Sequence, residues 1–243
     1  MIYLFMQKIA LITGGTGGLG SRTALALWRD GYRVAINFKS NELQSKKLLN
    51  EMDENAVALK ADVGNMDEVK LMADALYKLW GIPDVLVNSA GITKDALTLK
   101  AKPEDWDEVM RVNLTGVFNT MQVFSRLMKL QGKGGHIVNV SSYSGVKGKK
   151  GQAAYSASKS AIIALSKTAA IEFAEYGIKV NVILPGYMDT EMGKRAEGAM
   201  AGAREESLLK RLSDPDEVAG FIANLIEMEG VTGQVFAVES RIL

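Results

Sequence analysis

The stretch from Lys8 to Gly20, KIALITGGTGGLG, decides how this chain folds. Its first half, Lys8 to Thr13, is a short β-prone apolar run that leads directly into a loop rich in glycine. The residues from Ser21 to Asp30 have helical character, and Gly31 ends that segment. Strand, glycine loop and helix in this order are typical of a dinucleotide-binding fold, because glycines let the backbone approach a pyrophosphate at the helix N-terminus.

The glycines of this loop fit two different registers. Gly15, Gly17 and Gly20 match G-x-G-x-x-G, whereas Gly14, Gly18 and Gly20 match T-G-x-x-x-G-x-G. A glycine-rich turn between a strand and a helix can also be plain loop chemistry. The nucleotide hypothesis therefore depends on what surrounds the loop.

Strand and helix patterns alternate through the first half of the chain. Predicted strands cover Arg33–Phe38, Ala56–Lys60 and Asp84–Val87, and predicted helices cover Ser40–Asp53, Met66–Trp80 and Pro103–Lys129. This alternation predicts an α/β fold of Rossmann type, a doubly wound parallel sheet with helices on both faces. Without a linker or repeat, we expect one domain over residues 1–243, with a dinucleotide-binding half at about 1–100 and a catalytic and substrate half at about 101–243.

The end of the second predicted strand bears on the type of nucleotide. An NAD site usually has a carboxylate here for the ribose hydroxyls, but this chain has Lys39 and Ser40. A cation and a hydroxyl suit the 2′-phosphate of NADP, although an ordinary surface lysine would give the same sequence. Two further turns, Asp62-Val63 and Asn88 to Gly91, follow predicted strands at the sheet edge where such folds bind their ligands.

A second stretch, Tyr155-Ser-Ala-Ser-Lys159, carries candidate chemistry. The residues from Tyr155 to Phe173 lack Gly and Pro and repeat apolar residues at helical spacing, which predicts a long buried helix. Tyr155 and Lys159 then lie one turn apart on one face. An ammonium beside a phenol favours the phenolate, so we expect a lowered tyrosine pKa and proton transfer near neutral pH. The pattern Tyr-x-x-x-Lys by itself is a common accident.

Composition excludes several classes of function. The net charge of +1 gives no global field for nucleic acid or an anionic membrane. With no cysteine and a single histidine, His136, the chain lacks disulfides, thiolate metal sites and a Ser-His-Asp triad, and we expect no metal. Met1 to Phe5 is too short for a secretory signal and no later segment approaches a membrane span. We expect a cytoplasmic protein.

Several motifs together resemble the short-chain dehydrogenase/reductase family. They are TGGTGGLG, Asp62-Val63, the NSAG turn, Asn113, Ser142, YSASK and Pro185-Gly186, in the family's order and spacing over nearly the whole chain. The segments Gly91 to Asp95, GQAAY and Pro185 to Met192 are similar to β-ketoacyl-acyl-carrier-protein reductases, and also to acetoacetyl-CoA reductases.

The resemblance implies a role for each site residue. Ser142 would hydrogen-bond the substrate carbonyl, Tyr155 would protonate it, and Lys159 would hold the nicotinamide ribose. Asn113 would hold a water that links Lys159 to solvent. Cofactor contacts implied by the residues and the family are Gly14, Thr16, Gly18, Leu19, Gly20, Lys39, Ser40, Asp62, Val63, Asn88, Ala90, Gly91, Tyr155, Lys159, Pro185, Gly186 and Thr190.

The implied function is NADPH-dependent reduction of a 3-oxoacyl thioester, on acyl-carrier protein or CoA. Three alternatives stay open beside it. These are an acetoacetyl-CoA reductase of hydroxyalkanoate metabolism, an NAD-dependent alcohol or sugar dehydrogenase, and a non-catalytic dinucleotide-binding subunit. NADH is the less favoured cofactor. Lysines 129, 133, 147, 149 and 150 could attract a phosphopantetheine thioester, or could form only solvated faces.

The family also implies an assembly and a lid. Apolar helices suggest a homotetramer built as a dimer of dimers, and residues 191–212 fall where relatives have a substrate lid, although a plain solvated helix pair fits too. The chain departs from the family at its end: Phe236 to Leu243 replaces the usual Asn-Gly-Gly turn in a region that helps build the tetramer.

Overall fold

The computed structural model describes residues 7–194 and 197–242. One seven-stranded sheet lies at its centre, with strands in the order β3-β2-β1-β4-β5-β6-β7, and every neighbouring pair is parallel. The strands are β1 Ile9–Thr13, β2 Arg33–Phe38, β3 Ala56–Lys60, β4 Val85–Asn88, β5 Gly135–Val140, β6 Ile178–Pro185 and β7 Val235–Val238.

Helices connect the strands and cover the sheet. They are α1 Gly18–Arg29, α2 Glu42–Glu51, α3 Met66–Leu79, α4 Pro103–Met110, α5 Gly116–Gln131, α6 Ser144–Lys147, α7 Ala153–Phe173, α8 Glu191–Lys194, α9 Glu197–Glu206 and α10 Pro215–Leu225. Crossover helices of this kind are what parallel strands require.

The central strand shows why the chain folds into three layers. All five residues of β1 are buried, and because successive strand side chains point to opposite faces, they divide between two cores. Leu11 packs with residues of α3, α5 and α7 on one face, while Ile12 packs with residues of α1, α2 and α10 on the other. The predicted Rossmann-type α/β fold is confirmed.

The helix predicted over Pro103–Lys129 differs most from the structure. It is divided into α4 and α5 by a π-helical turn, Arg111–Thr115. The insertion turns the buried side chain of Asn113 toward the sheet edge, and such turns often occur at functional sites. Elsewhere the differences are at helix ends: α1 begins within the glycine loop at Gly18, and α7 begins two residues before Tyr155.

The strand order creates a crevice at one edge of the sheet. From β1 the chain moves toward β3 in one direction, and from β4 toward β7 in the other. Loops after β1 and β4 therefore separate at their carboxyl ends, the place where folds of this type bind ligands.

Two findings concern the remaining expectations. Within residues 7–194 and 197–242, no helix is long and apolar enough to cross a membrane. Met1 to Phe5, and part of the predicted lid at 195 and 196, lie outside the described residues.

Candidate active site

The glycine loop is held against the turn after β4. Gly14 has a φ of +61°, and a Cβ there would lie 2.7 Å from Cα of Ala90, so a side chain would be both strained and in collision. A Cβ on Gly17 would meet nothing closer than 3.2 Å. Of the two glycine registers, the one through Gly14, Gly18 and Gly20 is therefore the more tightly constrained.

Below this loop lies a crevice of about 340 Å³. Fifteen of the seventeen predicted cofactor residues line it: Gly14, Thr16, Gly18, Leu19, Gly20, Lys39, Ser40, Asp62, Val63, Ala90, Gly91, Tyr155, Lys159, Pro185 and Thr190. The backbone of Gly91 comes close to the catalytic candidates, since a Cβ there would lie 3.5 Å from Nζ of Lys159 and 3.4 Å from Oδ1 of Asn113. The crevice fits a dinucleotide cofactor.

Two predicted cofactor residues lie elsewhere. Gly186 lines a neighbouring cavity rather than the crevice. The Asn88 side chain is buried behind the crevice wall, where it donates to Oδ1 of Asn139 over 2.8 Å and accepts from Oγ1 of Thr120 over 2.8 Å. Both polar atoms of the Asn88 amide make hydrogen bonds inside the protein. Asn88 therefore supports the turn that follows β4.

At the far end of the crevice, Lys39 and Asp62 form an ion pair of 2.8 Å. Arg111 contacts the same carboxylate at 2.9 Å. Partial burial works to raise the pKa of Asp62, but hydrogen bonds from Lys39, the Gly64 amide and Arg111 lower it overall. Two cations therefore share one carboxylate at this end of the crevice, and the Glu68 carboxylate lies beside them, where it accepts from the Asp62 N–H over 2.8 Å.

A second cavity, of about 430 Å³, opens beside the crevice. Ser142 lines this second cavity, Lys159 lines the crevice, and Tyr155 lines both. A group bound in one cavity and a group bound in the other can therefore meet at the tyrosine. We call the second space the substrate cavity.

Ser142, and not its neighbour Ser141, has the position for chemistry. Ser142 lies close enough to the Tyr155 hydroxyl to oppose the rise in its pKa, and both residues line the second cavity. Ser141 is buried and donates its hydroxyl to the Lys159 carbonyl over 2.6 Å, so it fastens β5 to α7.

Lys159 and Asn113 lie deep in the crevice. Lys159 is only 4% exposed, donates to the Val140 carbonyl over 2.8 Å, and lies 5.7 Å from the centroid of the Tyr155 ring. The Asn113 amide accepts from the Ile92 N–H over 2.8 Å and donates to the Ile92 carbonyl over 3.0 Å. It also donates to Ser158 over 3.1 Å, which joins the π-helical turn to α7.

The expected lowering of the tyrosine pKa is not found. Burial raises the pKa of Tyr155, although the nearby Ser142 hydroxyl opposes the rise. Burial lowers the pKa of Lys159 to about 8, because the ammonium loses hydration. The phenol therefore keeps its proton at neutral pH, which is the form that an acid needs before it can donate.

Two side chains that hold the site together, Asn37 and Gln152, were not among the predicted site residues. The side chain of Asn37, on β2, accepts a 3.5 Å hydrogen bond from the Gly14 N–H and donates to the Ala61 carbonyl over 2.9 Å. Gln152 joins Asp95 to Ser144 through hydrogen bonds of 3.1 Å at each end. An amide in the middle of an apolar strand was the available signal for Asn37; Gln152 gave none.

The lysines considered for a thioester are divided by the fold. Lys149 lines the substrate cavity with its ammonium 4.5 Å from the Tyr187 ring centroid, whereas Lys147 and Lys150 are exposed outside it. Lys129 lies far from this cavity, 3.8 Å above the ring of Tyr176. Among the described residues, no cluster of His, Asp or Glu could hold a metal ion.

Comparisons with known proteins agree with this geometry. The family model described as short chain dehydrogenase matches residues 8–200. A 3-oxoacyl-[acyl-carrier-protein] reductase of Synechocystis sp. is 39% identical over 96% of this chain and 95% of the relative. The reductase FabG of Thermotoga maritima is 38% identical over 97% of this chain and 98% of its own length.

A solved structure is also similar. A variant of the actinorhodin polyketide ketoreductase, crystallised with NADPH, matches with a TM-score of 0.91 and 31% identity over 96% of both chains.

Proposed function

This chain belongs to the short-chain dehydrogenase family, and from that premise we propose that it reduces the ketone of a 3-oxoacyl thioester with NADPH. One observation carries the proposal: Tyr155 lines both the dinucleotide crevice and the substrate cavity. A carbonyl in the cavity can then face the crevice with its oxygen on the tyrosine hydroxyl.

When bound, NADPH supplies a hydride to the carbonyl carbon. Ser142 and Tyr155 line the same cavity, and both would direct hydroxyl groups at the carbonyl oxygen, where negative charge develops. Tyr155 holds its proton because burial raises its pKa, and it gives that proton to the oxygen. The Lys159 ammonium lies 5.7 Å from the ring centroid and stabilises the phenolate that remains.

The proposed role of Asn113 is to keep this apparatus in place and connected to solvent. Its amide is satisfied at both ends by the Ile92 backbone and by Ser158. These contacts fix the edge of the crevice next to Gly91, whose missing Cβ would lie 3.4 Å from the Asn113 amide oxygen. A water held there can pass a proton to Lys159.

The choice of NADPH has two supports. The crevice end has Lys39 where an NAD site usually has an acid, and the ketoreductase that this chain is similar to was crystallised with NADPH. The 3-oxoacyl thioester follows from the relatives, which are named as reductases of that substrate on acyl-carrier protein. Fatty acid synthesis is the proposed setting.

The decisive measurement uses the Tyr155→Phe variant beside wild type. Wild type should reduce acetoacetyl-CoA with NADPH, and should reduce it more slowly with NADH. The variant should lose turnover while it keeps NADPH affinity in a fluorescence titration, because the ring remains and only the acid is removed. Unchanged turnover in the variant would refute the assigned acid.

The same assay separates the alternative functions. Good activity on a polyol with NAD, and none on the thioester, would favour an alcohol or sugar dehydrogenase. NADPH binding without turnover of either substrate would favour a non-catalytic subunit. Comparison of CoA with acyl-carrier-protein thioesters would separate an acetoacetyl-CoA reductase from a carrier-protein reductase.

We further propose a cytoplasmic homotetramer, with residues 191–212 as its substrate lid. A groove of about 340 Å³ between α5 and α7 supports the assembly, since it carries exposed apolar side chains such as Phe118 and a neighbouring Ile171 that is 81% exposed. Light scattering on the purified protein measures the assembly: a mass of one subunit would contradict it.

A further inference from the structure

The end of the chain, where it departs from its family, lies on the substrate cavity. After β7 comes the segment from Glu239 to Ile242, which we call the tail, and its Arg241 is part of the cavity wall together with Ser142 and Tyr155. Backbone carbonyls hold the tail to two other parts of the chain. Its Ser240 carbonyl accepts from the Leu208 N–H over 3.2 Å, and its Ile242 carbonyl accepts from the Tyr143 hydroxyl over 3.4 Å.

Three side chains hold the Arg241 side chain, one from the tail and two from other parts of the chain. Its Nε donates to Glu239 over 2.6 Å, and Nη1 lies 3.6 Å from a carboxylate oxygen of Glu206 on α9. Its guanidinium carbon lies 3.8 Å from the ring centroid of Tyr143, the residue after Ser142. With only 9% of the side chain exposed, the guanidinium is fixed in one place, since a planar group that stacks and pairs at once loses its freedom.

The pair between Arg241 and Glu239 is a buried one. The Glu239 side chain is 3% exposed, and its Oε1 has no hydrogen-bond partner among the described residues. Removing either partner leaves an uncompensated buried charge, which destabilises strongly. These contacts fix the tail in place as part of the cavity wall.

This wall gives the substrate cavity a charged lining. Arg241 lies close enough to Lys149 that its charge opposes protonation of that lysine, and both line the cavity. Because Glu239, Glu206 and Tyr143 hold the guanidinium, a longer alkyl chain cannot move it aside to lengthen the cavity. Apolar carbons packed against the half-buried Lys149 ammonium would also displace its water without replacing the hydrogen bonds, which is unfavourable. A short acyl group needs neither contact.

We propose that Arg241 sets the acyl-chain specificity of this protein, so that short 3-oxoacyl groups are accepted and long alkyl chains are rejected. The inference rests on the proposed function, because it concerns the substrate of that same cavity. Arg241 is a specificity residue in this account: it touches the acyl portion and takes no part in proton transfer.

The test compares a four-carbon with an eight-carbon 3-oxoacyl-CoA at saturating NADPH. Wild type should favour the four-carbon substrate in kcat/KM by at least about tenfold. The double variant Glu239→Gln with Arg241→Met removes both charges together and keeps their approximate shapes, so that no buried charge is left alone. It should lower that preference by about tenfold or more, mainly through a lower KM for the eight-carbon substrate.

Two controls make the outcome decisive. Arg29→Ala removes an exposed arginine at the end of α1 that does not line the cavity, and it should leave the chain-length preference unchanged. Retained NADPH affinity and a cooperative thermal unfolding transition establish that the double variant is folded; if it is not, Arg241→Lys, which keeps the charge without the planar fork, should show a smaller shift in the same direction.

Each remaining result overturns the inference in a distinct way. An unchanged chain-length preference in a folded, active variant refutes the role of Arg241 and leaves the proposed function standing. A wild-type protein that binds NADPH but reduces neither thioester refutes the proposed function, and the inference falls with it.

Discussion

Replacement of Lys159 by methionine should make the protein more stable at neutral pH, although it removes a group we assign to catalysis. The ammonium is 4% exposed, and burial lowers the Lys159 pKa from 10.5 to about 8. Because one pKa unit corresponds to roughly 1.4 kcal/mol, the buried charge costs roughly 3 kcal/mol at pH 7. Loss of the hydrogen bond to the Val140 carbonyl destabilises the variant by roughly 1 kcal/mol, so the net gain in stability is roughly 2 kcal/mol.

The gain should depend on pH in a definite direction. Between the folded pKa of about 8 and the unfolded value of 10.5, the unfolded chain binds more protons, so the stability of wild type rises with pH in this window. Below it the cost of the charge is present in full, and above it the cost is gone. The advantage of the methionine variant should therefore fall from roughly 2 kcal/mol at pH 7 to roughly zero at pH 10.

Urea unfolding of both proteins without cofactor, at pH 7 and at pH 10, measures this difference. Lys167→Met is the matched control, because it removes an exposed lysine from the same helix, and its effect should not change between the two pH values. A methionine variant at position 159 that is less stable than wild type at pH 7, by an amount independent of pH, would refute the claim that the ammonium is desolvated.

Three further changes test other parts of the site. Asn139→Ala leaves the buried Asn88 amide without its acceptor and should lower the free energy of unfolding by roughly 2 to 4 kcal/mol in urea; a loss below roughly 1 kcal/mol would contradict the network. Gly14→Ala should abolish NADPH binding in a fluorescence titration, since a Cβ there collides with Ala90, and normal affinity would contradict the close approach. Lys39→Ala should raise the KM for NADPH about tenfold and leave that for NADH nearly unchanged; equal effects on both cofactors would argue against a phosphate contact.

Much of the fold followed from local pattern. The run from Lys8 to Gly20 predicts strand, loop and helix, because the period of apolar residues and the conformational freedom of glycine act over a few neighbours. Tyr155 and Lys159 could be placed on one helical face for the same reason: four residues make one turn. The π-helical turn at 111–115 interrupts the predicted helix. It was not visible in the sequence, because the contacts of Asn113 with the Ile92 backbone and with Ser158 on α7 join parts of the chain that are distant in sequence.

The order of the elements, the parallel sheet and the helical face shared by Tyr155 and Lys159 were therefore predictable from local pattern. The electrostatics and the cavity depend on tertiary contacts that no local pattern shows. Burial depends on elements distant in the chain, so the pKa of Tyr155 rises where its neighbour Lys159 alone predicted a fall. In the same way, Arg241 lies ninety-nine residues after Ser142 in the chain but shares a cavity wall with it. The pairing of β7 with β6 brings the tail to that wall.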